Sequence, residues 1–145
     1  MLVSTVNADF VMFFRVILAC FLGGLIGWER ERHRHIISAG IRTYGAIAMG
    51  ACIFSMLSDF APPPADTSRI AAQVVSGIGF LGGGIIFRQG DYVTGLTTAA
   101  TLWATAAVGM AIAFGFYFVG ILTAILIFLL LYLPRLAWWK KISAK

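Results

Sequence analysis

Acidic residues are scarce in this sequence and are absent from the interior of its apolar segments. The chain has six Asp and Glu residues among 145. Divalent cations prefer several oxygen ligands, usually carboxylates, and Mg²⁺ sheds its water reluctantly. The sequence therefore predicts no side-chain metal site at mid-membrane depth, and no cofactor. All six acids fall at the edges of apolar segments, at Asp9, Glu29, Glu31, Asp59, Asp66 and Asp91.

Catalytic constellations are also missing. Cys20 and Cys52 each lie inside an apolar segment, where a thiol behaves as a small hydrophobic group, and no CxxC spacing occurs. His33 and His35 are two residues apart and would diverge on a helix, which argues against a shared metal ion. With no Ser/His/Asp or Cys/His pattern either, the sequence predicts a protein that is not an enzyme.

What the chain does have is apolar length. It is 60% hydrophobic and 12% charged, with a mean hydropathy of +0.91, well outside the soluble average of roughly a quarter charged residues. Its charged stretches are far shorter than the usual domain minimum of about 50 residues. The sequence therefore predicts a single integral membrane domain over residues 1–145, bound to a lipid bilayer and not to nucleic acid.

Five membrane-spanning helices are predicted. No charged residue occurs from Tyr92 to Pro134, and 43 residues in one helix would extend about 65 Å, twice the thickness of a hydrocarbon core. That run must cross twice, and Gly115 near its middle is the expected tight turn. The predicted spans are about 10–28, 43–60, 70–87, 96–114 and 116–133.

Basic residues predict the orientation. Five crossings place the first and third loops and the C-terminus on one side, with nine of the 11 Lys and Arg residues. The positive-inside rule then puts the N-terminus outside and the C-terminus in the cytoplasm. No basic residue precedes the first span, so it is predicted to be retained, not cleaved. Arg15, near the start of that span, is expected to snorkel to the membrane surface.

Small and hydroxyl residues concentrate between Ser68 and Ala106, which is the predicted packing centre. The third span carries Gly77, Gly79, Gly82, Gly83 and Gly84. These glycines form either a smooth face for a neighbouring helix or a loosened helix whose free carbonyls line a polar cavity. Their G-x-G-x-x-G spacing lacks the strand that nucleotide binding requires. The threonines of the fourth span bond either to their own helix or across to the glycine-rich helix.

A candidate polar cluster lies at the start of the third span. Arg69 and Gln73 are one helical turn apart, and Asp66 precedes them as a candidate ion-pair partner of Arg69. The arginine is either an interfacial anchor or part of an inward-facing site. Elsewhere, Gly23 and Gly27 form a GxxxG pair, and i,i+3 spacing predicts that Glu29 faces Arg32 and Glu31 faces Arg34.

Four motifs in order resemble the membrane domain of the MgtC/SapB family: GGLIGWERE from Gly23, AGIRT from Ala39, DTSRIAAQVVSGIGFLGGG from Asp66 and GLTTAATLWATAAVG from Gly95. The resemblance implies a bacterial inner-membrane protein of about five helices. It also implies a link to growth in low magnesium and to virulence, through a regulatory role that includes contact with the F-type ATP synthase. The alternative function is a small transporter or channel for Mg²⁺ or another ion or solute. A homo-oligomer suits both functions.

The resemblance carries the family motif onto the following positions: Glu29, Arg30, Glu31, Arg42, Thr43, Gly77, Gly79, Gly82, Gly84, Gly95, Leu96, Thr97, Thr98 and Trp103. Two mild departures are Gly83, where alanine is expected, and Thr67, where proline is expected. The chain is similar to the short forms of the family, which lack the soluble C-terminal domain of founding-type members, so a role tied to that domain is not expected.

Overall fold

The computed structural model describes residues 2–32, 39–59 and 66–135. It is an all-α membrane-type fold of five helices with one small hairpin. The helices are α1 (Leu2–Glu31), α2 (Ile41–Asp59), α3 (Arg69–Ile85), α4 (Leu96–Ala113) and α5 (Tyr117–Tyr132), and a 3₁₀ turn follows at Leu133–Arg135.

The last four helices begin and end within two residues of the predicted spans. Helix α1 instead begins at Leu2, eight residues before the predicted start, because a helix can begin before its apolar stretch does. Four helices are long and apolar enough to cross a membrane, and α3 is shorter, with 17 residues. At about 1.5 Å per residue, α3 is about 26 Å long, close to the lower limit for a crossing.

A two-stranded antiparallel hairpin connects α3 to α4, where the sequence predicted only a loop. Strand β1 (Phe87–Gln89) pairs with β2 (Tyr92–Thr94). The two-residue turn between them is Gly90–Asp91, and Gly90 supplies the positive φ that such a turn needs. The Gly-Asp pair was the available sequence signal for this hairpin.

Helices α1, α2 and α4 form the tightly packed centre. A Cβ added at Gly23 of α1 would lie 2.5 Å from the Tyr44 carbonyl oxygen, and one at Gly27 would lie 2.7 Å from Ile41 Cα. On α4, a Cβ at Gly109 would overlap the Ala48 carbonyl oxygen. The predicted GxxxG contact is therefore confirmed. The prediction of a packing centre between Ser68 and Ala106 is confirmed for α4. It is wrong for the glycine-rich α3, which lies at the edge of the observed centre.

Arg15 fastens α1 to the turn between α4 and α5. Its Nε donates to the Tyr117 hydroxyl at 2.8 Å, and its Nη1 donates to the Ala113 carbonyl at 2.7 Å. Arg15 thus satisfies the last carbonyl of α4. That its charged group reaches the membrane surface stays a prediction. Gly115, the predicted turn residue, has φ of +80°.

Some predictions fall on residues that the structure does not describe. They are the pairing of Glu31 with Arg34, the arrangement of His33 and His35, and the lysines after Arg135 that contribute to the predicted orientation.

Candidate functional site

Helix α3 leaves most of its glycines without a packing neighbour in the described chain. Gly77, Gly79, Gly83 and Gly84 each have no atom within 4 Å of an added Cβ. We call these four residues the glycine face. At about 100° per residue they span a wide arc of α3, with Gly77 and Gly84 at one edge and Gly79 and Gly83 at the other. Gly82 alone among the α3 glycines packs inward, with its added Cβ 3.5 Å from Ala99 Cβ. The glycine face is thus not needed for packing within the described chain.

The glycine face is an intact helical surface and not a break. Helix α3 runs without interruption from Arg69 to Ile85. The alternative in which these glycines loosen the helix and free its carbonyls is therefore wrong. Phe80 projects from the middle of this surface and is 84% exposed. The face accordingly combines one large protruding ring with flat, small-residue surface on either side of it.

An apolar groove of about 560 Å³ runs between α2 and α3, beside the Gly77 edge of the glycine face. Gly50 on α2 and Gly77 on α3 lie in its walls, and neither has an atom within 4 Å of an added Cβ. We call it the α2–α3 groove. Its remaining lining is mostly aliphatic, and Gln73 and Thr43 provide polar side chains. Its length along two helices and its apolar walls suit a third helix or a lipid chain.

The predicted polar cluster lies at one end of this groove. Asp66, Arg69 and Gln73 are all exposed. The Asp66 carboxylate accepts from the Ser68 N–H at 2.9 Å and from the Ser68 hydroxyl at 2.7 Å, and these two bonds hold the Asp66 pKa below its ordinary value. Arg69 lowers it further through its charge, without a direct ion pair between these two described residues.

The threonines of α4 point toward α1 and α2 and not toward the glycine-rich helix. Thr101 donates to the Thr97 carbonyl at 2.8 Å, and Thr105 donates to the Thr101 carbonyl at 2.7 Å. Thr101 also shares a hydrogen bond of 2.6 Å with the Tyr44 hydroxyl of α2. Bonding within the helix is thus confirmed, and cross-helix bonding occurs with a different helix from the one expected.

A second polar site lies at the end of the bundle where α1, α4 and α5 meet. Glu29 is 3% exposed, and its Oε1 lies 2.5 Å from Arg135 Nη2. The predicted pairing of Glu29 with Arg32 is therefore wrong, and Arg32 instead stacks over the Trp28 ring at 4.9 Å. A carboxylate this deeply buried requires a cationic partner, since an unpaired buried charge is costly.

The residues beside Glu29 bind neighbouring helices. Arg30 donates from Nη2 to the Thr98 hydroxyl of α4. Glu31 accepts from the Ile41 N–H at 3.0 Å and so satisfies one of the free N–H groups at the start of α2. The three charged residues of the WERE segment thus tie α1 to three different parts of the chain.

A cavity of about 270 Å³ adjoins the Glu29–Arg135 pair, and we call it the Arg135 cavity. Glu29, Arg30, Thr97 and Arg135 form its polar side. Leu130, Leu131 and Pro134 form its apolar side.

The other family-motif positions have structural or surface roles. Gly95, with φ of +89°, begins α4 where an added Cβ would overlap the Ile85 carbonyl oxygen. Arg42, Thr43, Leu96 and Trp103 are exposed. The motifs around Glu29 and Thr98 therefore converge at one end of the bundle, while Asp66, Arg69 and Gln73 lie at the other.

Arg135 is the site residue that sequence reasoning missed. It was counted only as one of the basic residues that set the orientation. Its partner is 106 positions away, so no local spacing could have revealed the pair. The available signal for a distant cationic partner was Glu29 itself. This carboxylate directly follows the apolar residues of the first span, and no basic residue lies one helical turn before it.

Comparison with known proteins identifies the relatives of this chain. The model of the MgtC family matches residues 16–137. A protein named MgtC from Brucella abortus (strain 2308) is 55% identical over 93 residues, which are 63% of this chain and 38% of that protein. Another protein named MgtC, from Salmonella typhimurium (strain 14028s), is 48% identical over 100 residues, which are 69% of this chain and 42% of that protein.

The alignments thus span about two fifths of the length of these curated relatives. No solved structure matches the chain.

Proposed function

Because this chain belongs to the MgtC family, we propose that it is a non-enzymatic regulator of the bacterial inner membrane that acts by binding a transmembrane helix of another protein. The proposed contact is the glycine face, with the α2–α3 groove beside its Gly77 edge. Growth in low magnesium and virulence are the processes in which such a regulator would act, and the F-type ATP synthase is the partner to test first.

The open glycine face is the observation that carries this proposal. Helix association in lipid gains little from burying one aliphatic side chain against another, and depends on small residues that let two backbones approach. Gly23, Gly27 and Gly109 already serve this purpose inside the fold. Gly77, Gly79, Gly83 and Gly84 serve no neighbour in the described chain, so an intermolecular helix contact accounts for them best.

Gln73 supports the same surface. Its side chain lines the α2–α3 groove and has no hydrogen-bond partner within the described chain. An amide facing lipid is costly unless it is bonded, so a partner helix that carries a hydroxyl or amide at this depth would gain a hydrogen bond. A second copy of this chain could provide that group too, which would make the contact a homo-oligomer.

The test is to enlarge the glycine face without disturbing the fold. Gly79→Leu and Gly83→Leu add side chains into open space, so both variants should insert and unfold like the parent protein. We expect both to lose copurification of the membrane partner by at least about tenfold, a loss of about 1.4 kcal/mol. Ala107→Leu, on an exposed face of α4, is the matched control and should retain the partner.

Two results would overturn the proposal. The first is undiminished copurification and unchanged growth in low magnesium for both glycine variants. The second is loss of the partner from Ala107→Leu to the same degree, which would show that any added bulk is disruptive. If the retained partner is the chain itself, crosslinking of two differently tagged copies would identify the contact as a homo-oligomer.

Transport of an ion or solute is the second candidate, and its support is the exposed pair Arg69 and Gln73 at one end of the groove. Flux into liposomes that hold the purified protein distinguishes the two candidates. Transport predicts flux that Arg69→Ala or Gln73→Ala abolishes while the protein still folds. The regulator proposal predicts no flux above that of empty liposomes.

A further inference from the structure

The Arg135 cavity is formed by helices that take no part in the α2–α3 groove. Its lining comes from the end of α1, the start of α4 and the end of α5 with the following 3₁₀ turn. A ligand in the Arg135 cavity would therefore bind at a place separate from the proposed partner contact.

The charges around this cavity favour an anion. The cavity lining has one carboxylate, Glu29, which is paired with Arg135, and two guanidinium groups, so the formal charge of its side chains is positive. Within the described chain, Arg135 uses Nη2 toward Glu29, and its Nε and Nη1 donate to no acceptor. Arginine presents these N–H groups in a planar fork that matches the oxygens of a phosphate.

A divalent cation does not fit the same place. Glu29 is the one carboxylate in the lining, and two guanidinium groups adjoin it. No group of three His, Cys, Asp or Glu residues occurs anywhere in the described ranges. The repulsion from two arginines would oppose a bound Mg²⁺, whereas a phosphate oxygen would find donors on Arg30, Arg135 and the Thr97 hydroxyl.

The apolar side of the cavity further limits the class of ligand that fits. Leu130, Leu131 and Pro134 would contact hydrocarbon, and the charged side would contact a headgroup. Basic pockets between transmembrane helices at the cytoplasmic side bind anionic lipid headgroups. We propose that the Arg135 cavity binds a phosphate group, and that this phosphate is the phosphodiester of an anionic membrane lipid.

The experiment measures lipid binding by the purified full chain in a neutral detergent. Native mass spectrometry and thermal unfolding follow titrations with phosphatidylglycerol, with phosphatidylcholine and with inorganic phosphate. We expect phosphatidylglycerol to remain bound and to raise the unfolding temperature. Phosphatidylcholine should bind at least about tenfold more weakly, because its headgroup has no net negative charge.

Variants test whether the binding occurs in this cavity. Arg30→Gln should weaken phosphatidylglycerol binding about tenfold, and Arg30→Lys should recover part of it, since lysine also binds phosphate. The paired variant Glu29→Gln with Arg135→Gln avoids an unpaired buried carboxylate and should weaken binding similarly. Arg88→Gln is the matched control, because Arg88 is exposed on the hairpin and, among the described residues, bonds only to the Gly90 carbonyl.

Each remaining outcome has a defined meaning. Stabilisation by inorganic phosphate, but not by phosphatidylglycerol, would overturn the lipid and leave a free phosphate site. Equal weakening by Arg88→Gln and Arg30→Gln would show attraction to overall positive charge and would overturn the cavity. Variants that unfold below the parent yet bind phosphatidylglycerol as tightly would also overturn it.

Discussion

Arg15 shows how one side chain can hold a turn in a membrane protein. It is half-buried, bonds to Tyr117 and Ala113, and lies over the Tyr117 ring at 5.7 Å. Arg15→Met would leave both acceptors without their donor. Bonds to a charged group contribute about 1.5–3 kcal/mol each. Because Arg15 is only half-buried, we expect the loss of both bonds to lower the free energy of unfolding by about 3 kcal/mol, the lower end for two bonds. Denaturant titration in mixed micelles would measure this change.

The control for this variant is Arg69→Met. Arg69 is an exposed arginine with no hydrogen-bonded side-chain partner in the described chain, so its loss should change stability by less than about 0.5 kcal/mol. Equal destabilisation by the two substitutions would show that Arg15 acts only as an interfacial charge. Tyr117→Phe should fall between them, since it removes one of the two bonds.

Individual side-chain contacts were the feature of the structure that the sequence predicted least well. Residue types and helical spacing indicated several of the side chains that make polar contacts, but they did not predict the partners of these side chains. Glu29 bonds to a residue 106 positions away, whereas local spacing favoured Arg32. The threonines of α4 were identified correctly as hydrogen-bonding residues, and yet which helix they face depends on the packing of the whole bundle.

At the scale of helices, close approach distinguishes two kinds of glycine. Gly109→Ala would push a Cβ into the Ala48 carbonyl oxygen, and overpacking of this kind costs about 1–3 kcal/mol. Gly79→Ala meets nothing within 4 Å, and alanine favours helix by up to about 1 kcal/mol, so it should be neutral or stabilising. Thermal unfolding of the two variants would measure the difference. Similar values for both would contradict the tight α2–α4 contact.

Helix positions were predictable because apolar length and breaks in it determine where a helix can cross a bilayer. The uncharged run up to Pro134 required two crossings, and Gly115 is the turn between them. The hairpin was missed because its two strands are three residues long, too short for an alternating pattern to be visible. The early start of α1 was missed because the apolar stretch begins well after Leu2.

The identity of the peripheral helix could not be predicted, although it determines the function that we propose. Glycine in a transmembrane helix serves either a neighbour in the same chain or one in another, and the sequence looks the same in both cases. Only the assembled bundle shows that Gly23 and Gly27 of α1 and Gly109 of α4 pack against α2 and that α3 keeps most of its glycines free.

Whether α3 crosses the membrane is the decisive question for the whole molecule. At about 26 Å it is shorter than a hydrocarbon core of about 30 Å, so the five-crossing arrangement depends on it more than on any other helix. The residues on either side of it are Thr67 before its start and Arg88 in the hairpin after its end, and both are exposed.

Labelling of single introduced cysteines would test the crossing and the predicted orientation together. Thr67→Cys should react with a membrane-impermeant maleimide in cells with a permeabilised outer membrane, and Arg88→Cys should react only after lysis. The native protein is the control, because Cys52 is buried and Cys20 half-buried within spanning helices. Labelling of both positions from outside would show that α3 does not cross, and the reverse pattern would invert the orientation. Either result would mean that the Arg135 cavity or the polar cluster lies in the leaflet opposite to the one that the basic residues predict for it.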